Sequence, residues 1–365
     1  MMAPAQVKNR DNQSMNTPPA SSTVQAAELD YPLKSPPPPG ETLQVAPGVH
    51  WLRMPLPMSL DHINLWALED GDGWTLVDTG MRTPETTAAW NTLIAGPLAG
   101  RGVNRVICTH MHPDHIGMAG WLTQKFDCRL WITRLEYVTC RMLVADTSRE
   151  APEDALRFYH SCGWEENDLE KYKTEFGRFG RVVYPLPDSY RRVGDGEVLT
   201  IGDRAWHAVV GCGHSPEHLS LYCPEIHLMI SGDQVLPKIT SNVSVFPTEP
   251  DADPLTDWLE SLASIKRRVP DDVLVLPSHN LPFTGLWARL EQLIQGHEQS
   301  LARLTEALRK PKRAIDVFAL LFRRPIGPGQ LFMATGESVA HLNCLVRRGQ
   351  AIREVDAAGV AWYRT

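Results

Sequence analysis

The chain has 365 residues, 43% of them hydrophobic and 22% charged, and a formal net charge of −7. That composition is ordinary for a soluble globular protein and leaves room for one large domain plus a small one. It excludes a helical membrane protein, because no apolar run approaches the ~20 residues of a span, and no basic-then-apolar start marks a secretory signal.

Seven cysteines, at 108, 128, 140, 162, 212, 223 and 344, are scattered and form no C-x-x-C pair. This argues against a disulfide framework or a thiolate zinc site and points to a reducing cytoplasm. Charge is uneven. Residues 310–365 hold nine Lys/Arg and four Asp/Glu, a balance of +5, so the remainder carries −12. A basic tail on an acidic body suits an anionic partner, docking between the two parts, or a solvated surface.

In chain order, residues 1–40 read as a disordered Pro-rich extension, with Pro18-Pro19, a run from Pro36 to Pro39 and little apolar periodicity. Met15 is a second candidate start, and order is expected near Leu43. A strand pair around Pro47-Gly48 precedes two apolar segments, 62–68 and 74–77, broken by Glu69-Asp70-Gly71-Asp72-Gly73, which is a hairpin signal. The second segment runs into Asp78-Thr79-Gly80. Thr83 as N-cap and Pro84 then open a helix to about residue 98. Strands at 105–108 and 129–132 flank a helix over 116–126, giving an alternating α/β pattern.

Between strand 105–108 and that helix stands Thr109-His110-Met111-His112-Pro113-Asp114-His115. Neutral imidazole and carboxylate are the ligands that zinc, iron and manganese accept. A single buried histidine is ordinarily a hydrogen-bonded structural residue. Four ligand-type side chains at this spacing would leave several polar groups needing partners if no metal were bound. The loop also follows a strand end, where α/β folds place chemistry.

Residues 134–180 are helical in pattern and aromatic-rich, with Phe158, Tyr159, Trp164, Tyr172, Phe176 and Phe179. Core packing is the default reading of such aromatics. Their position after the loop also suits a lid or substrate wall. Strands are expected at 198–201, 206–210, 219–222, 227–230 and 273–276, with helices at about 254–268 and 285–309. Three strand ends carry further ligand types, at Gly213-His214, Gly232-Asp233 and Ser278-His279. The tail reads as helices over 315–322 and 337–348, then two short strands around 356–359, the second ending with 361–363. It looks like a winged helix, a fold that binds DNA or serves as a packing or homodimerisation module. The second helix has only Arg347 and Arg348 near its end, too few for a phosphate track, so packing is favoured.

These motifs, in this order, resemble the metallo-β-lactamase fold superfamily over residues 43–300. The resemblance implies an α+β chain with an αββα sandwich; with the tail read above, the chain divides into that sandwich over 41–309, with a lid-like insertion at 134–190, and a small winged-helix-like domain over 310–365. It implies two divalent metal ions, zinc first and iron or manganese next. His110, His112 and His214 would hold one; Asp114, His115 and His279 the other; Asp233 would bridge. Asp114 would also steer the nucleophile or relay a proton, and Asp78 would orient the site. A bridging acid without a thiolate resembles the glyoxalase II, lactonase and nuclease branches. Cys212, two residues before a ligand, reads as a packed thiol, and His62 and His218 as structural hydrogen-bonding residues. One departure stands out: Asn280 follows the last histidine, where the family pattern has glycine.

The implied reaction is hydrolysis of a small-molecule thioester, ester or lactone by hydroxide shared between the metals. Rival readings are a metal-dependent nuclease of the same fold, a mononuclear iron persulfide dioxygenase, and a DNA-binding regulator that senses a ligand. The −12 body argues against nucleic acid as partner.

Overall fold

The computed structural model describes residues 29–58 and 60–365. Two sheets form its centre. The first has seven strands in chain order: β1 (Leu43–Ala46), β2 (Val49–Pro55), β3 (His62–Asp70), β4 (Gly73–Val77), β5 (Gly102–Ile107), β6 (Arg129–Ile132) and β7 (Arg191–Arg192). It is antiparallel from β1 to β4 and parallel from β4 to β7. The second sheet uses β8 (Val198–Ile201), β9 (Arg204–Gly211), β10 (His218–Cys223), β11 (Leu228–Gly232) and β12 (Leu274–Pro277). Its order is β12-β11-β10-β9-β8, and only β11 and β12 run parallel.

Side-chain alternation along the strands sorts the core into layers. In β3, Trp66 and Leu68 face the second sheet, while Ile63, Leu65 and Ala67 face helices. Trp206 and Ala208 of β9 complete the inter-sheet core, while Val209 turns to the opposite side. Helices Pro84–Ala95, Ala119–Phe126 and Arg134–Ala145 cover the first sheet. Helices Pro254–Arg268 and Leu286–Ala307 cover the second. The result is the αββα sandwich expected from sequence. No helix among the described residues is long and apolar enough to cross a membrane.

Three local expectations need correction. The extension over 1–40 lies outside the described residues as far as 28, but from Leu29 onward it packs on the body. Asp30 bridges to Thr284, and Leu29 and Tyr31 contact the core beneath the second sheet, so order begins before Leu43. The helix expected over 116–126 is two pieces, Pro113–Ile116 and Ala119–Phe126. The Met118 amide donates to the Gly80 carbonyl at 3.0 Å, outside any helical ladder.

The third correction concerns the tail. Its short helical turns, 314–317 and 318–321, precede one long helix, Leu331–Arg347, and a hairpin of β13 (Ile352–Val355) and β14 (Ala361–Arg364). The hairpin matches the two short strands expected around 356–359, and those four residues form its turn. Asp356 Oδ1 accepts the amides of Ala358 and Val360. The long helix starts six residues before the expected 337, because Gly336 sits inside it. A Cβ there would come within 2.8 Å of the Ser244 side chain, so the glycine serves close approach and does not end the helix.

Candidate metal centre

Five strand ends converge on one edge of the sandwich. Asp78 follows β4, the His-rich loop follows β5, His214 follows β9, Asp233 follows β11 and His279 follows β12. The two sheets are stitched at this edge by backbone bonds, Leu219 N to Thr109 O at 2.8 Å and Asn64 N to Ser278 O at 2.7 Å. The turn Asp78-Thr79-Gly80 clamps the His-rich loop from below. The Thr79 hydroxyl and amide both donate to the His115 carbonyl at 2.7 Å, and Trp90 Nε1 donates to the Thr79 carbonyl.

All seven side chains expected as ligands are brought together. Donor atoms of His110, His112 and His214 lie within 4.8 Å of one another, as do those of Asp114, His115 and His279. His110, His115 and Asp233 form a third such group linking the other two. His110 Nε2 is 2.8 Å from His112 Nδ1 and 3.3 Å from His214 Nε2. Asp233 Oδ1 stands 3.5 Å from His115 Nε2 and 3.4 Å from His279 Nε2, and its Oδ2 3.5 Å from His214 Nε2.

The outer nitrogens are committed elsewhere. His115 Nδ1 donates to Asp78 Oδ2 at 2.8 Å, His214 Nδ1 to the Asn242 carbonyl at 2.7 Å, and His279 Nδ1 to the His62 carbonyl at 2.9 Å. Each bond fixes the tautomer and turns the Nε2 lone pair inward. Buried His115 Nε2 and Asp233 Oδ1 have no hydrogen-bond partner. Orphaned inward-facing donors of this kind fit a bound cation.

Electrostatics divide the site. Burial, reinforced by neighbouring imidazoles, holds His110 well below its ordinary range, and burial with His214 holds His112 at about 3. Both stay neutral, the form that binds metal. Burial also pulls on His115 and His279, but carboxylates outweigh it. Asp78, Asp114 and Asp233 raise His115 well above its ordinary range, and Asp233 and Asp114 raise His279 to about 10. Burial raises Asp233, yet His279 and His115 more than offset it and hold that carboxyl well below its usual range. A divalent cation would take the place of the protons on this second half of the site.

Several residues around the centre were missed from sequence. Glu136, at the start of helix Arg134–Ala145, is buried and accepts from the Met111 amide at 2.9 Å, the Ser215 hydroxyl at 2.6 Å and the Glu217 amide at 2.7 Å. It therefore ties the His112 loop to the His214 loop. A lone glutamate in an amphipathic helix carries no sequence signal for that task. Asn242 is equally silent. His218 Nε2 accepts the Asp233 amide at 3.0 Å, and His62 Nε2 accepts the Asn280 amide at 3.0 Å. Gly232 is required beside His218, since a Cβ would strike the imidazole at 2.5 Å. Asn280 takes φ +69°, the left-handed region that glycine favours and asparagine tolerates best among other residues. The departure from glycine therefore leaves the turn intact. Cys212 is half-buried, and burial pushes its thiol up to about 11.

Comparison with known proteins agrees with this geometry. The pattern of the metallo-beta-lactamase superfamily matches residues 58–279, and that of the metallo-beta-lactamase-like C-terminal domain matches residues 301–365. A beta-lactamase domain protein from Burkholderia ambifaria is 40% identical, with a TM-score of 0.84 over 92% of this chain and 98% of that one. A metallo-beta-lactamase family protein from Thermus thermophilus is 25% identical, with a TM-score of 0.75 over 88% of this chain and all of that one. An atrochrysone carboxyl ACP thioesterase from Aspergillus fumigatus is 22% identical over 70% of this chain, which spans 46% of that enzyme. One family pattern covers the sandwich and its histidine-rich edge, a second covers the tail, and 92% of the chain superposes on a beta-lactamase domain protein. The chain belongs to the metallo-beta-lactamase superfamily and is a metal-dependent hydrolase.

Proposed function

We propose that the chain hydrolyses a small-molecule thioester, with an ester or lactone as the neighbouring possibility, at a centre of two divalent ions, zinc first. His110, His112 and His214 would hold one ion, and Asp114, His115 and His279 the other, with Asp233 between them. The observation that carries this reading is the buried, unpartnered pair of His115 Nε2 and Asp233 Oδ1, 3.5 Å apart at the junction of the two ligand groups. Two ions bound there would lower the pKa of a shared water and stabilise a developing oxyanion.

The protein's own contributions follow from its hydrogen bonds. Asp78, Asn242 and the His62 carbonyl orient the three histidines whose Nε2 atoms face inward. Asp114, with its Oδ2 3.4 Å from His279 Nε2 and its side chain partly open to solvent, is placed to steer the nucleophile and hand a proton to the leaving group. No serine or cysteine nucleophile enters this scheme. Beside the centre, helix Arg134–Ala145 exposes Leu135, Val138 and Met142 along one face, while its Glu136 touches both metal loops. That apolar stripe suits the acyl part of a thioester, and the thioesterase relative supports the same bond type.

A nuclease role is not favoured. The tail helix Leu331–Arg347 is buried from Ala334 to Leu345 apart from Glu337, so it offers no groove-reading face. Part of the tail's basic charge is used in docking, with Arg348 paired to Glu298 and Arg353 to Asp251.

The test is metal analysis of one preparation, followed by assay against acyl thioesters, lactones and phosphodiesters. Two ions per chain with thioester cleavage are expected. One iron per chain with oxygen consumption, or cleavage of RNA alone, would overturn the proposal.

A further inference from the structure

The loop between β11 and helix Pro254–Arg268 runs for some twenty residues without helix or strand, yet it supplies the carbonyl that orients His214. Several contacts hold the loop. Ser241 donates to the Asp233 carbonyl and Ser244 to Asn242 Oδ1. Arg289 of helix Leu286–Ala307 holds its first part, donating to the carbonyls of Leu236 at 2.6 Å and Ile239 at 2.8 Å, and the tail helix holds the part that follows Asn242. Val245 N donates to Gly336 O at 3.1 Å, and Asn343 Nδ2 donates to the carbonyls of Pro250 at 3.1 Å and Ala252 at 2.9 Å. Gly336 lets the two backbones approach. At the centre of this contact, Asn242 Nδ2 donates to Glu337 Oε2 at 2.9 Å.

A continuous chain of bonds thus runs from the tail to the metal centre: Glu337 carboxylate, Asn242 side chain, Asn242 carbonyl, His214 Nδ1. From this geometry we infer that Glu337 is a positioning residue for the metal centre, acting from the C-terminal tail through Asn242 to aim His214. The inference rests on the reading of His214 as a metal ligand. Glu337 touches neither ligand nor substrate. Its effect is to hold the Asn242 backbone where the carbonyl meets Nδ1, so that Nε2 stays directed at His110 and Asp233. Partners of metal-bound histidines ordinarily contribute about 10–100-fold in metal affinity or activity, and Glu337 stands one bond further out. The tail is therefore part of the hydrolase site and more than a docking appendage.

The experiment compares wild type, Glu337→Ala, Glu337→Gln, Asn242→Ala and the Glu337→Ala/Asn242→Ala double variant in the full chain. Zinc affinity is read by chelator competition, and the visible spectrum is read after cobalt substitution. Glu337→Ala should weaken binding of one ion about tenfold, shift the cobalt bands, and lower kcat with KM little changed. Glu337→Gln keeps an oxygen that can accept the Asn242 amide and should return within about threefold of wild type. The double variant should be no worse than Asn242→Ala, because both act along one path. Glu354→Ala, which breaks an exposed tail pair with Arg364, should leave all readouts unchanged.

Wild-type zinc affinity and an unshifted cobalt spectrum in Glu337→Ala would overturn the inference while leaving the hydrolase reading intact. Full additivity in the double variant would do the same. A wild-type protein that binds no metal would remove both. Should Glu337→Ala fail to fold, Asn242→Ala with Glu337→Gln decides the question: zinc affinity unchanged in Asn242→Ala overturns it.

Discussion

Oδ2 of Asp78 lies 2.8 Å from Nδ1 of His115, and both side chains are buried. The same carboxylate accepts the Thr109 amide at 2.8 Å and the Thr109 hydroxyl at 2.8 and 3.0 Å. One residue at a strand end, with φ +61°, therefore sets the start of the His-rich loop and the ring at its close. Asp78→Ala removes the partner of His115 and leaves a buried amide unpaired. Metal affinity should fall about 10–100-fold, measured by chelator competition. Unchanged affinity would show that His115 needs no such guide.

His110 and His112 offer two of the three donors in the first ligand group. The double alanine variant should lose one ion per chain by elemental analysis, and hydrolysis should drop to background. Full activity in this variant would dismiss the metal-dependent scheme.

Glu136 joins the two metal loops through three accepted hydrogen bonds. Burial raises its carboxyl above the ordinary range, although Ser215 and the amides of Glu217 and Met111 pull the other way. Glu136→Ala leaves the buried Met111 amide and Ser215 hydroxyl, and the part-buried Glu217 amide, without an acceptor. Unfolding free energy should fall by about 2–4 kcal/mol, with a parallel loss of kcat. A denaturation midpoint equal to wild type would refute the tie.

Asn280 tests the tolerance of the last ligand turn. Asn280→Gly should be near neutral in activity. Asn280→Val places a β-branched side chain at φ +69° and should cost about 1–2 kcal/mol or more, with loss of His279 alignment. Equal stability of the two variants would contradict the strain argument.

His297 and His341 face each other in the core beneath the tail, Nδ1 to Nε2 at 3.2 Å. Burial, with His341 adjacent, holds His297 at about 3, and burial, with Arg303 adding to it, holds His341 at about 4. Both values are depressed, so the unfolded chain takes up protons first as pH falls. Their stabilisation is complete above about pH 6.5 and is lost on the way down toward 4 and 3, at about 1.4 kcal/mol per pH unit for each ring. Denaturant unfolding of metal-free protein from pH 7 to 5 should show this decline. The slope should be shallower in His297→Phe, and identical slopes would dismiss the pair as its source.

Much of this site is legible in the residues themselves. Ligand types stand at or just after strand ends, which the strand pattern shows, and the family resemblance implies that those ends share one sheet edge. The Asp78-Thr79-Gly80 turn carries its own signal as well. What sequence does not disclose is contact across distance. Asn242 and Glu337 are 95 positions apart, and neither sits in a motif. Glu136 looks like any helix glutamate until its three donors are in place. The tail hairpin is legible, because Asp356 and Gly359 mark the turn between its two short strands.

The two sheets contribute unequally and at different points in the chain. Four proposed ligands lie between residues 110 and 115, three others at 214, 233 and 279, and the tail's splint at 337. On the inference above, a nascent chain gains the brace on His214 only once nearly its last helix has been synthesised and docked. Full metal affinity would then arrive late, after the tail has docked. A product that ends before Glu337 would carry all seven proposed ligands and still hold one of its ions about tenfold more weakly.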